Sequence, residues 1–174
     1  LSKVDYNSLN VTAAASKALL WNSSADGFET GNVAGSMVLL ETQTASSSAT
    51  LSFTSNIDST YDEYVFKFYD IHPETNAEHF GFQGNAVGGS GYNETITSTS
   101  WRTYQTEDNS SQAVGYYTAA DQAQGTGFQE LIHEAASDDA DKSACGTLHL
   151  FSPSSTVFVK HFIFTGNHYA PTNG

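Results

Sequence analysis

The chain has 174 residues, 39% hydrophobic and 13% aromatic, enough apolar material to build one core without disulfide or metal staples. Six Lys and Arg against 19 Asp and Glu give a formal net charge of −13, and Arg102 is the lone arginine among scattered lysines. Such a surface repels phosphate, which argues against nucleic acid or an anionic membrane as partner. Only 14% of residues are charged, and Ser and Thr supply the polar surface; this composition excludes a helical bundle and favours strands and extended loops.

Residues 1–34 differ from the rest and read as an N-terminal arm. Asn10 or Thr12 is placed to cap a short helix running from Ala13 through Ala18, Leu19 and Leu20, with Asn22-Ser23-Ser24 as its stop signal. The stretch Ala25 to Gly31 reads as turns. The opening residues Leu1 to Asp5 lack the apolar core of a signal peptide, and no apolar run approaches the roughly 20 residues of a membrane-spanning helix, so no membrane insertion is expected.

From residue 35 to 174 strand signals follow one another, separated by Gly, Ser, Asn, Asp and Pro clusters, the pattern of an all-β domain built as an antiparallel sandwich or barrel. The expected strands are Met37–Thr42, Ala49–Thr54, Glu63–Ile71, Glu78–Gln83, Thr95–Thr103, Gly146–Phe151 and Thr156–Thr165. The strongest alternation is that of Tyr64, Phe66 and Phe68, then Phe80 and Phe82. Gly84 to Gly91 reads as a flexible hairpin tip, Ala113 to Gln124 as a region with a helical turn, and Ser137 to Asp141 as an exposed acidic loop.

Ser152-Pro-Ser-Ser155 is expected to turn the last hairpin. Both faces of Thr156–Thr165 carry apolar residues, so this strand is expected at the centre of a sheet. If Phe151 opposes Thr156, His149 faces Phe158 and His161 falls on the opposite face, which separates the two histidines.

The sequence offers no catalytic residues and no cofactor motif. His133-Glu134 is half of a helical zinc motif, but Ser137 stands where its second histidine belongs. No Gly-x-Ser-x-Gly elbow occurs, and Gly125-Thr-Gly127 is followed by Phe128 rather than the Lys of a phosphate loop. Asp138, Asp139 and Asp141, with Asp121 or Glu134 nearby, are weak calcium candidates because the spacing lacks the Gly and Glu of a calcium-binding loop. The binding candidates are Trp101, Tyr104, Tyr116 and Tyr117, aromatic platforms beside Gln105, Asn109 and Gln112. They suit either stacking on a sugar ring or an oligomer contact, where tyrosine is common.

Two segments, residues 48–73 and 143–162, resemble structural proteins of marine tailed bacteriophages. The motifs concerned are Tyr61-Asp-Glu-Tyr64 and Gly146-Thr-Leu-His-Leu-Phe-Ser-Pro153 in those segments and Phe80-Gly-Phe-Gln-Gly84 between them, so that the resemblance covers most of residues 35–165. The resemblance implies a jelly-roll-like antiparallel β-sandwich at the virion surface, in a fibre, decoration or tail component, without enzymatic activity. It implies a homo-oligomer, a trimer as first expectation, in contact with other virion proteins; recognition of a host surface glycan is the alternative. Sequences of this kind continue into a Gly-x-x-Lys-x-Tyr-Gly-like strand, whereas this chain ends in Pro171-Thr-Asn-Gly174. A missing or neighbour-supplied strand would leave an open sheet edge, which invites a partner.

Overall fold

A computed structural model describes residues 17–31, 37–133 and 141–169. The chain divides into two compact units, Leu1–Phe53 and Thr54–Gly174. Its regular structure is all-β, in small antiparallel sheets. Among the described residues there is no α-helix, and none is long and apolar enough to cross a membrane.

In the first unit, β1 (Ala18–Trp21) and β2 (Phe28–Gly31) form a hairpin. This corrects the expected helix at Ala18, Leu19 and Leu20; its earlier part, with Asn10 and Thr12, lies outside the described residues. The supposed stop signal is the reason. Asn22 accepts a backbone bond from Ala25 and donates one to Gly27, at 3.0 Å each, while its side chain bridges Asp26. That closes a loop between strands, and Trp21 stacks on its cross-strand partner Phe28 with ring centroids 4.5 Å apart. The expected strands Met37–Thr42 and Ala49–Thr54 are irregular, pairing with nothing in a ladder among the described residues. Leu39 is 82% exposed, so alternation there is not matched by an apolar face to cover.

The second unit is organised on a three-stranded sheet in which β10 (Ala144–Phe151) is central, flanked by β3 (Glu63–Ile71) and β11 (His161–His168). Period-two alternation gives it one apolar face of Tyr64, Phe66, Phe68, Leu148, Leu150, Phe162 and Phe164. The opposite face is mixed, with Val65, Phe151 and Ile163 among Glu63, Lys67, Thr147, His149, His161 and Thr165. A bulge keeps the apolar face continuous: Tyr69 and Asp70 stand against Cys145, with Asp70 at φ 51, so Ile71 pairs with Ala144 and joins the apolar side. Tyr64, 4% exposed, sends its hydroxyl to the Asp58 carbonyl at 2.9 Å and ties the preceding loop to the sheet.

The last hairpin differs from expectation in register and position. Ser152-Pro-Ser-Ser155 does turn, with the Ser155 N–H donating to the Ser152 carbonyl at 3.0 Å. The Ser155 hydroxyl then accepts from the N–H groups of Val157 and Phe158, and Lys160 reaches back to the Ser155 carbonyl. Residues 156–160 are thereby drawn into the loop and β11 begins at His161, opposite Phe151. The strand is an edge rather than a centre, and His149 faces Ile163. His149 and His161 consequently share a face, reversing the separation expected from the shorter turn.

A second ladder, β4 (Phe80–Phe82) with β9 (Gln129–Ile132), covers the apolar face. Phe80 meets Phe68 and Phe82 meets Phe162, each edge-on with centroids 4.9 Å apart. Ile132 and Ala144 form the core there, joined by Ile71, Phe80, Leu131 and Phe164. Two shorter ladders follow: β5 (Ile96–Thr97) with β8 (Ala123–Gly125), and the hairpin of β6 (Trp101–Gln105) and β7 (Gln112–Tyr116). A 3-10 turn at Thr118–Ala120 supplies the helical turn expected between Ala113 and Gln124.

Where strands are this short, buried amides complete the connections. Gln83 donates to the carbonyls of Glu94, Thr126 and Gly127 at 3.0, 3.1 and 2.7 Å and accepts from the Gly84 N–H. Gln129, 3% exposed, donates to the carbonyls of Ala120 and Glu130 and accepts from the Ser98 hydroxyl.

Candidate functional site

The four aromatic candidates all lie on or beside the β6–β7 hairpin, but on two faces. Trp101 pairs with Tyr116 across the ladder, so both point the same way, with ring centroids 5.8 Å apart and planes at 56°. Trp101 is 72% exposed, and Val114 on the same face is 82% exposed. The Tyr116 hydroxyl donates to the Asp121 carboxylate, which raises the Tyr116 pKa above the usual tyrosine value by hydrogen bonding and, secondarily, desolvation and charge repulsion.

Tyr104 belongs with the opposite face. Arg102 lies over the Tyr117 ring at 3.9 Å and near the Tyr104 ring at 5.4 Å, so the lone arginine is occupied as a cation–π partner. The expected cluster is therefore an exposed Trp101–Tyr116 pair and a separate Tyr104–Arg102–Tyr117 stack.

Tyr117 leads to a group that sequence reasoning did not assemble. Its ring meets His133 edge-on at 4.9 Å, and His133 lies 4.8 Å from the ring of His79. Between them, Glu130 binds His79 Nδ1 through Oε2 at 3.0 Å and His133 Nδ1 through Oε1 at 2.7 Å. Glu130 is 18% exposed, His133 25% and His79 48% at the side chain, so the group is shielded below and open to solvent at His79.

The local fold explains the meeting. Residues three apart on a regular strand point to opposite faces, which would separate Glu130 from His133. Here Phe80 pairs with Ile132 but Gly81 pairs with Glu130, making Leu131 an extra residue in a bulge. Leu131 and Ile132 both pack on the core, and Glu130 and His133 emerge together on the outer side. His79 joins them from the residue before β4. Gly81 opposite Glu130 leaves no side chain in the way; a Cβ there would stand 2.7 Å from the Gln129 carbonyl oxygen. The one legible signal was Glu130-x-x-His133 near a paired strand bearing His79, and without the bulge that spacing argues against a shared face.

A second histidine–carboxylate pair lies on the other, mixed face of the main sheet, where His149 Nδ1 and Glu63 Oε1 are 2.6 Å apart. Of the calcium candidates, Asp138 and Asp139 lie outside the described residues, as does Glu134, while Asp141 is exposed in the turn before β10. Asp121 is engaged by Tyr116.

Comparison with known protein families, characterised proteins and solved structures finds no match to this chain.

Proposed function

We propose that the chain is a non-enzymatic structural subunit of a bacteriophage particle, surface-exposed in a fibre, decoration or tail component and assembled as a homo-oligomer, a trimer in the first instance. The observation that carries the assembly reading is the apolar loop before the edge strand β11. Val157, Phe158 and Val159 are 80%, 74% and 74% exposed, and Ile163 on the strand itself is 59% exposed. Contiguous apolar exposure beside a strand that ends its sheet among the described residues is what a second copy of the chain would cover, by side-chain burial and by strand pairing together. Assignment to a virion rests on the resemblance of residues 48–73 and 143–162. A jelly-roll-like sandwich belongs to the same proposal, supported by the packing of Phe80 and Phe82 across the main sheet.

Light scattering of the purified chain at two concentrations tests it. A defined oligomer that dissociates in the Val157→Ser, Phe158→Ser, Val159→Ser variant is expected; a monodisperse monomer at high concentration refutes assembly. The alternative, recognition of a host surface glycan, is favoured by the exposed Trp101–Tyr116 pair, whose apolar ring faces could stack on a sugar. Glycan binding lost in Trp101→Ala would establish it, and a flat response across a broad glycan array would remove it.

A further inference from the structure

We propose that His79, Glu130 and His133 bind a borderline first-row divalent cation, with zinc the ion the donor set fits best. Two imidazole nitrogens and a carboxylate oxygen form a ligand set that such ions favour over the all-oxygen surroundings chosen by calcium and magnesium. One donor atom from each residue lies within 4.8 Å of the others. Around tetrahedral zinc, with bonds of roughly 2.0–2.2 Å, neighbouring ligand atoms stand about 3.3–3.6 Å apart. The Nδ1–carboxylate separations of 3.0 and 2.7 Å are within an ångström of that spacing, so small side-chain rotations admit the ion.

The frame that holds the donors is built from backbone. The Leu131 bulge sets Glu130 and His133 on one side, the β4–β9 ladder fixes His79 opposite, and the Tyr117 ring edge restrains the His133 imidazole. The His133–Glu130 hydrogen bond and the 3.0 Å contact of His79 with the same carboxylate keep the three groups convergent without the ion. Three protein ligands leave one tetrahedral position for water or for a side chain of another molecule, reached from the exposed His79 side. The chain's formal charge of −13 favours cation capture at long range.

Bound there, the ion would join the start of β4 to the end of β9, more than 50 residues on in the chain. Because binding requires the folded arrangement, it stabilises that ladder by mass action. The proposal is independent of the virion and glycan readings, since its test reads neither assembly nor sugar binding.

The experiment is zinc titration of the full chain after chelator stripping, by calorimetry, with thermal unfolding in parallel and cobalt(II) as a spectroscopic substitute. Expected are one zinc per chain, a raised Tm, and the visible absorption of four-coordinate cobalt. His79→Gln, at the exposed ligand, and His133→Gln should each weaken zinc by at least the roughly 10–100-fold seen when a supporting second-shell contact is lost. His149→Gln, in the other histidine–carboxylate pair, should leave affinity unchanged. No zinc or cobalt binding would overturn the assignment, as would equal affinity in the His79 and His133 variants, or an equal loss in His149→Gln.

Discussion

The packing of Phe164 over two glycines gives a quantitative test of the central sheet. Gly146 of β10 pairs directly with Gly166 of β11, and the Phe164 ring lies across both. A Cβ at Gly146 would stand 2.4 and 2.6 Å from two ring carbons; at Gly166 the distances are 2.5 and 2.7 Å. The ring has little room to yield, because it packs on the Ile132–Ala144 core and lies 6.4 Å from the Phe68 ring. Overpacking of this kind costs about 1–3 kcal/mol, against a gain of about 0.5–1 kcal/mol from replacing glycine in a strand. Gly146→Ala should therefore destabilise by about 1–2 kcal/mol, lowering Tm by about 2–8 °C for a chain of this size. A double-mutant cycle with Phe164→Leu, followed by urea denaturation, isolates the cause: with the ring gone, Gly146→Ala should be neutral or stabilising. Equal cost in both backgrounds, or no cost in the parent, would refute the account.

Gln83→Leu should cost about 2 kcal/mol or more, since it removes the donor shared by the Glu94, Thr126 and Gly127 carbonyls; Gln83→Glu should fare no better, having no N–H to give, and denaturant midpoints check both. The Asp58 carboxyl is held below the usual carboxylate range by hydrogen bonds from the Thr60 side chain, then the Thr60 N–H, then the Tyr64 hydroxyl. Its contribution is present above the unfolded value of about 3.9 and is lost as pH falls through the lower folded value, so Asp58→Asn should flatten the acid limb of a stability–pH profile. Tyr116 shifts the other way: held protonated by Asp121, it contributes stability below the unfolded value of about 10 that is lost as pH rises through the higher folded value. A late-ionising tyrosine in an ultraviolet titration that moves back toward the ordinary range in Asp121→Asn would confirm this.

Legibility in the sequence follows the physical strength of each signal. Glu63–Ile71 is found with the bounds that its alternation of Tyr64, Phe66 and Phe68 implies, because a complete apolar face lies behind it. Met37–Thr42 and Ala49–Thr54 show similar local alternation and form no ladder, since a strand is completed by its partner and a pattern within six residues carries no information about one. Ala18 to Leu20 has helical propensity, yet the hydrogen bonds of Asn22 and the Trp21–Phe28 stack outweigh it; propensity in so short a stretch is a weak term. The four aromatic candidates lie on or beside one hairpin, and their division between its faces depends on the pairing of Trp101 with Tyr116, which no spacing in the sequence specifies.

The His79–Glu130–His133 group shows why a site can be invisible when its elements are not. Strand faces are assigned by parity, and a single extra residue inverts the assignment for everything beyond it. At Asp70 the inversion preserves the core by turning Ile71 inward; at Leu131 it does so by letting Leu131 and Ile132 both face inward, and the convergence of Glu130 with His133 follows. The core and the group are thus two consequences of one bulge. Deleting Leu131 should consequently leave the outer group together: with regular pairing restored, Glu130 and His133 stand two residues apart and keep a shared face, as they do in Leu131→Ala, which keeps the bulge. If zinc binding survives both Leu131→Ala and the deletion while the main sheet stays folded, face parity is what assembles the donors; if it is lost on deletion alone, the backbone geometry of the bulge itself, rather than parity, holds them together.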